Sequence, residues 1–378
     1  MAEHALLSAS SSHRWLMCVP SARLEETFEN KTNPAAEEGS AAHALAEHKL
    51  RKFLKIKTRK PGSKYDSPEF EFYTDAYSEY ACELIAEAYM RSSDAQVLVE
   101  QRLDYSHYAD SGFGTGDLVI VSDGVLDIVD LKYGMRRVSA ENNPQLKLYA
   151  LGALDMFGFL YDIQTVHLTI CQPRLDSIST FELSVDELLD WAETELKPKA
   201  ALAFKGEGDF LSGDHCKYCR ARFQCRERAN SNLELAKLEF KLPKLLTDGE
   251  MANVLSQANE LKSWAKDVWE YAEKEAVNGK KWSGYKLIEG TSRRKYTDEA
   301  KIAEQVLATG DYDEAQIYTK NLLGITAMTQ LLGKKQFREL LGGLCFAPPG
   351  RPALVVESDK HPAWNPLDAA KGDFADAI

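Results

Sequence analysis

Between Phe113 and Lys132 the chain reads FGTGDLVIVSDGVLDIVDLK, two β-rich runs on either side of Ser122-Asp123-Gly124. An Asp-Gly pair between apolar runs is the strongest short-range hairpin signal. With Asp123 and Gly124 as the loop, Ser122 faces Val125, and counting outward puts Asp117 opposite Asp130. Side chains alternate along a strand, so Lys132 shares a face with Asp130. Two carboxylates and a lysine therefore converge, the acids with Cβ atoms about 5 Å apart. Their neighbours Leu118, Val119, Ile120, Val121, Leu126, Ile128, Val129 and Leu131 are apolar on both faces, the pattern of strands covered on both sides. Two like charges there need a cationic partner. A divalent metal with oxygen ligands supplies one and is preferred to solvated strand-end charges.

A chain of 378 residues has room for one large domain with an appendage, or for two domains. Its 44% hydrophobic and 28% charged residues are ordinary for a globular protein. No apolar run reaches the ~18–20 residues of a membrane span, and MAEHALLSASSSHRW lacks a basic-then-apolar signal layout. A soluble intracellular protein is expected. The net charge of −12 argues against indiscriminate coating of nucleic acid. Charge is uneven, however: from Lys49 to Lys64 there are eight basic residues, beginning Lys49, Arg51, Lys52 and Lys55, and no acidic one. Such a run is usually a solvated helix end; its functional reading is a patch that tracks phosphates.

Along the chain, Ala35 to Ile56 is rich in Ala, Leu and Glu, which predicts a helix carrying His43 and His48. Phe70 to Ser92 has helical periodicity, and Gln96 to Leu103 reads as a strand bearing Glu100. A polar loop with Arg136 and Arg137 follows the hairpin. Asn143-Pro144 then opens a helix to Phe157, with Gln145 and Tyr149 one turn apart on one face. Thr165–Gln172 reads as a strand and Ser184–Phe204 as a helix begun by Ser-Val-Asp-Glu. From about Leu238 the character changes. A long helix is expected over Leu246–Asn278, a short hairpin with Lys286, Arg293, Arg294 and Lys295, helical segments to about Leu341, and a Pro- and Asp-rich tail from Pro348. The division is thus 1–237, 238–347 and 348–378.

Seven cysteines, an odd count without a secretory signal, argue against a disulfide framework. Cys82, Cys171 and Cys345 look like ordinary thiols. Cys216, Cys219 and Cys225 form C-x2-C-x5-C, one thiolate short of a zinc or iron–sulfur site. Zinc would take His215 as the fourth ligand, an iron–sulfur cluster a distant cysteine; the local sequence leaves both open.

Placed together, these pieces resemble the RecB-type branch of the PD-(D/E)-x-K nucleases in its iron–sulfur form, over about residues 8–230. That branch includes AddB-type helicase–nuclease subunits and CRISPR adaptation exonucleases, and the likeness is greatest to phage-associated members. The family's helix histidine falls on His43, its Gly-x-x-Asp on Gly114 to Asp117, its (D/E)-x-K on Asp130-Leu131-Lys132, and its Gln-x-x-x-Tyr on Gln145 and Tyr149. The early cysteine falls on Cys18, with Val19 standing between it and Pro20, and the later triplet on Cys216, Cys219 and Cys225.

The resemblance implies an α/β fold with a restriction-endonuclease-like core: a central mixed sheet flanked by helices, an iron–sulfur-clamped helical subregion and a mainly helical C-terminal extension. It implies Mg2+ or Mn2+ held by His43, Asp117, Asp130 and the Leu131 carbonyl, with Lys132 acting on the attacking water and Gln145 and Tyr149 orienting the strand. Glu100 is either a supporting group or the partner of a strand neighbour. A [4Fe–4S] cluster is favoured over Zn2+ on Cys18 and the triplet. The implied protein is a DNA exonuclease of phage recombination or end processing in the bacterial cytoplasm. It would pair with a single-strand annealing or single-strand-binding protein and, in one form, with further copies of itself. The alternative is a catalytically silent fold that grips DNA or a partner around a structural metal cluster.

Overall fold

The computed structural model describes residues 5–29, 33–236, 248–287, 303–304, 307–308 and 325–345. Two compact units emerge, one of Met1–Leu246 with Gln257–Glu289, the other of Thr247–Ser256 with Gly290–Ile378.

The first unit is built on a five-stranded mixed sheet in the order β1 (Gln96–Asp104), β2 (Phe113–Ser122), β3 (Val125–Leu131), β4 (Thr165–Gln172), β5 (Ser177–Ser184). All neighbours are antiparallel except β3 and β4. The expected hairpin is present, with Ser122 paired to Val125 and Gly124 in the left-handed region at φ 76°. One face of the sheet is covered by α3 (Pro34–Phe53) and α4 (Pro68–Arg91), whose Ala46, Leu50, Tyr77 and Ile85 pack on Leu118, Ile120, Val129 and Leu131. The other face receives α5 (Pro144–Phe157) and the N-terminal helices α1 (Ser12–Met17) and α2 (Ser21–Glu26), against Val119, Val121, Leu126 and Ile128. Both faces are buried, which is why β2 and β3 read as unbroken apolar runs.

The helices begin where their caps say they should. Asn33, Ser67 and Asn143 each accept a first-turn backbone N–H, and each is followed by Pro. Ser184 and Glu187 close the expected capping box of α6 (Val185–Trp191). The helix expected to run on to Phe204 is instead interrupted by a π turn, Ala192–Leu196, before α7 (Lys197–Lys205). Pro198 in the first turn of α7 lacks an N–H and crowds the carbonyl four residues back, and the wider turn relieves it. Strand β5 is an addition to the sequence reading: its exposure alternates, and its outward Ile178, Thr180 and Glu182 carry no apolar stripe.

Residues 226–287 hold α8 (Arg226–Ala236) and the long helix α9 (Asp248–Val277). Fully buried Arg228 of α8 contacts Asp267 Oδ2, Glu260 Oε1 and the Arg222 carbonyl. The grouping therefore departs from the boundary expected at 238, because residues 257–289 fold with the sheet-bearing unit. In the second unit the described helices are α10 (Ile325–Leu332) and α11 (Lys334–Leu341). Most of the expected hairpin, with Arg293, Arg294 and Lys295, and the 348–378 tail lie outside the described residues; Trp282–Tyr285 forms a turn. Among the described residues no helix is long and apolar enough to cross a membrane.

Candidate metal centre and thiol cavity

The sheet's regularity breaks at one pair of residues. Val99 pairs with Leu118 and Gln101 with Gly116, but Glu100 and Asp117 between them form no ladder pair, and Glu100 has φ 53°. A left-handed glutamate in a strand is strained by roughly 1–2 kcal/mol. Its effect is to reverse the alternation. Leu118 and Ile120 face α3 and α4, whereas Gly114 and Gly116, of the same parity, face Tyr149 of α5. A Cβ on Gly114 would stand 2.7 Å from the Tyr149 ring, so this glycine makes room for the tyrosine.

His43 of α3 places Nδ1 3.0 Å from Asp117 Oδ1 and 4.0 Å from Glu100 Oε1. Asp117 Oδ2 accepts the Leu131 N–H at 2.6 Å, taking a backbone donor that the hairpin ladder would otherwise use. The ligand atoms of His43, Glu100 and Asp117 all lie within 4.8 Å of one another. The sequence leaves Glu100 as either a supporting group or the partner of a strand neighbour; the structure sets its carboxylate among the candidate ligand atoms. The contact seen at Leu131 is its N–H on Asp117, not its carbonyl.

Asp130 and Lys132 share a face as the alternation requires, with Nζ 2.8 Å from Asp130 Oδ2. Gln145 joins them, donating to Asp130 Oδ1 at 2.9 Å and to the Tyr149 hydroxyl at 3.1 Å while accepting from Lys132 Nζ at 3.0 Å. Two buried polar atoms here have no hydrogen-bond partner: Asp130 Oδ2, whose contact with Nζ is off-angle, and the Tyr77 hydroxyl of α4. Sequence reasoning misses Tyr77, since a tyrosine on the apolar face of a helix looks like core.

Three carboxylates in one buried place repel one another. Burial, then Asp117, pushes the Glu100 carboxyl up to about 7. Burial also raises Asp130, against the pull of Lys132. Burial opposes charge on His43, but the Asp117 carboxylate outweighs it, followed by Asp130 and Glu100, and lifts the imidazole to about 9. With His43 neutral, Glu100, Asp117 and Asp130 against Lys132 leave two negative charges, the amount a divalent cation cancels.

Because a raised carboxyl pKa disfavours the fold only once the group ionises, the Glu100 cost is absent below pH 4.5 and grows as pH rises through about 7. Glu100→Gly removes that repulsion and the left-handed strain together, against roughly 0.5–1 kcal/mol for glycine in a strand. It is expected to stabilise the metal-free protein by about 1 kcal/mol at pH 8 and less at pH 4, read from denaturant midpoints, while weakening metal binding.

Half of the basic run after His43 is paired with acids. Lys49 bridges Glu71 and Asp75 at 2.9 and 2.7 Å, Arg51 pairs with Glu47, Lys60 with Glu71, and Lys64 with Glu37. Lys49 and Arg51 are therefore fastenings of α3, to α4 in the first case, rather than open phosphate contacts. Lys52 and Lys55 are exposed, Lys55 in the left-handed conformation (φ 59°) that ends the helix.

Cys18 ends α1, and Cys216, Cys219 and Cys225 follow in the loop leading to α8. All four line one cavity of about 10 Å³, with Arg14, His215 and Arg228 around it. His215 is raised first by a hydrogen bond to Cys18, and its Nε2 lies 2.9 Å from the Leu211 carbonyl. Burial lifts the Cys219 thiol to about 12. Glu25 ties the two chain segments, pairing with Arg14 at 2.7 Å and accepting the Arg220 N–H at 2.7 Å. Among the described residues only the His43 group meets the 4.8 Å spacing, so the thiols stand wider apart.

The chain belongs to the family described as "Protein of unknown function (DUF2800)", whose model matches residues 4–362. The solved structure titled "Crystal structure of SSO0001" is similar over 48% of this chain and 95% of its own, at 14% identity and a TM-score of 0.22. That likeness is too slight to carry fold or function.

Proposed function

We propose that the protein is a metal-dependent DNA exonuclease of the PD-(D/E)-x-K type, acting in phage or prophage DNA recombination or end processing. The observation that carries this reading is the juxtaposition of the His43, Glu100 and Asp117 ligand group with the hydrogen-bonded chain Tyr149–Gln145–Asp130–Lys132. Mg2+ or Mn2+ held there by His43, Glu100 and Asp117, with Asp130 beside them, would polarise the scissile phosphate and lower the pKa of bound water. Lys132 brings a positive charge to the non-bridging oxygens, and its place beside Asp130, against the effect of burial, keeps it protonated. Gln145 holds Asp130 and Lys132 together through opposite ends of its amide. Tyr149, its hydroxyl raised well above the usual range mainly by burial, stays a neutral hydrogen-bond group.

A [4Fe–4S] cluster on Cys18, Cys216, Cys219 and Cys225 is part of the proposal. What supports it is that the four thiols line one small cavity; the preference for iron over tetrahedral zinc rests on the resemblance to the iron–sulfur branch.

The test is digestion of end-labelled linear and closed circular DNA with Mg2+ or Mn2+. Metal-dependent loss of the linear form alone supports the exonuclease. No cleavage of duplex, single-stranded or nicked DNA by iron-replete protein overturns it, and leaves a binding protein. Metal binding carries its own signature. The imidazole must lose its proton to become a ligand, so affinity should rise about tenfold per pH unit from about 7 to 9 and then level. Calorimetry in two buffers of different ionisation enthalpy at pH 7.5 should show about one proton released. A pH-independent affinity would remove His43 from the ligand set.

A further inference from the structure

A second cavity, of about 1030 Å³, begins at Lys132 and Gln145 and extends along Arg136 and Arg137 to His215, Tyr218 and Arg220 of the cysteine-bearing loop. Of the four acids that line it, Glu25 is engaged by Arg14, Glu26 by Arg23 and Asp214 by Lys217, and the fourth is Glu141. Among the described residues Arg136, Arg137 and Arg220 make no ion pair, so the groove presents open guanidinium groups in a protein of net charge −12. Arg136 lies over the Tyr218 ring, 5.3 Å from its centroid, and donates to its hydroxyl at 2.7 Å. Tyr218 is nonetheless 58% exposed, with ring surface open to solvent.

We propose that this groove is a track for single-stranded DNA, with Arg136, Arg137 and Arg220 on successive phosphates and a base stacked on Tyr218. The volume sits at the top of the roughly 300–1,000 Å³ range of small-molecule clefts, room for a short run of nucleotides. The exposed Tyr218 ring favours a single strand over a duplex, whose bases are already stacked on one another. A cationic channel with an exposed aromatic is the arrangement that holds single strands without reading their sequence. Lys132 at one end makes the track a feed to the metal centre; this step rests on the nuclease reading, whereas the strand preference rests on the groove. Because His215, Tyr218 and Arg220 lie among the cysteines, the thiol-bearing loop is also the groove's far wall.

The test is fluorescence anisotropy on the full-length protein with divalent metal withheld, using a labelled oligothymidine and a blunt duplex of equal length. The oligothymidine should bind at least about tenfold more tightly. Arg136→Ala with Arg137→Ala should weaken it about tenfold or more and reduce the slope of log affinity against log salt by about 1.4, two phosphates' worth. Tyr218→Ala should cost about tenfold, and Tyr218→Phe should restore most of it, since the ring stacks without its hydroxyl. Equal or tighter duplex binding, or an unchanged salt slope in the double variant, overturns the inference. Duplex cleavage together with duplex preference would leave the nuclease standing without the track. Arginine-dependent single-strand binding without cleavage under either metal would leave the track standing without the nuclease.

Discussion

Asp117→Asn is expected to abolish metal-dependent cleavage, by on the order of 10³-fold or more, while leaving the protein folded. The carboxylate does two separable things. Its Oδ2 satisfies the N–H of Leu131, a residue with no exposed surface, and an amide oxygen can do the same. Its charge holds His43 protonated, opposes ionisation of Glu100 and offers a metal an anionic oxygen; the amide does none of these. The amide variant should therefore keep the hairpin, relax the crowding of carboxylates and let the imidazole pKa fall back from about 9 toward 6.5. The raised value means that His43 stabilises the metal-free fold fully below pH 6.5 and loses that contribution as pH rises through 9. The variant should show a flatter stability profile over that range. An NMR titration of His43 together with a cleavage assay separates the charge from the scaffold. Retained cleavage would remove Asp117 from the chemistry. Asp117→Ala, by contrast, strands a buried N–H and should cost about 1–3 kcal/mol of stability as well.

With the proposed cluster bound to the four thiols, its loss should be the largest stability change available to the chain. Cys18 and Cys216 are separated by nearly the whole sheet-bearing unit, so a group bonded to both closes a very long loop. Constraint of such a loop is worth about 5 kcal/mol on the chain-entropy account. In its absence the segments are joined near the cavity by the Glu25 contacts to Arg14 and Arg220 and by His215 against Cys18. Cys219→Ser, or oxidative loss of iron, is expected to lower the unfolding midpoint by about 10 °C or more. Iron content and visible absorbance followed alongside the unfolding scan should fall before or with the transition. Anaerobically purified protein that holds stoichiometric zinc and no iron would replace the cluster by zinc. Protein with neither metal, and a Cys219→Ser midpoint equal to wild type, would reduce the cavity to four packed thiols.

Much of this site is legible in the chain itself. Asp-Gly fixes the hairpin and its register, alternation puts Lys132 beside Asp130, and Asn143-Pro144 sets the start of α5 so that Gln145 and Tyr149 share a face. Those inferences use local geometry, which the sequence determines. Glu100 is named from the sequence but not as a ligand, because nothing local announces the left-handed residue that turns the strand there. Lys49 and Arg51 mislead because a run of basic residues does not reveal its acids: Glu71 and Asp75 reach Lys49 from α4. The four cysteines are gathered by resemblance, since nothing local ties Cys18 to a triplet nearly two hundred residues on. That they share a cavity is a tertiary fact.

The parallel pairing of β3 with β4 has a further consequence. A chain that must return to the starting end of the sheet has to leave β3 at its carboxyl end, and α5 makes the return. Gln145 therefore starts beside Asp130 and Lys132 whatever the intervening segment looks like, because Asn143 anchors the helix and the β3–β4 pairing anchors both strands. The exposed positions of the segment, Arg136 and Arg137 among them, are correspondingly free to change charge, while buried Tyr133 and Ala140 and the capping Asn143 hold its course. Any redesign of what the groove accepts can be concentrated in those exposed positions while the candidate metal ligands stay where the topology puts them.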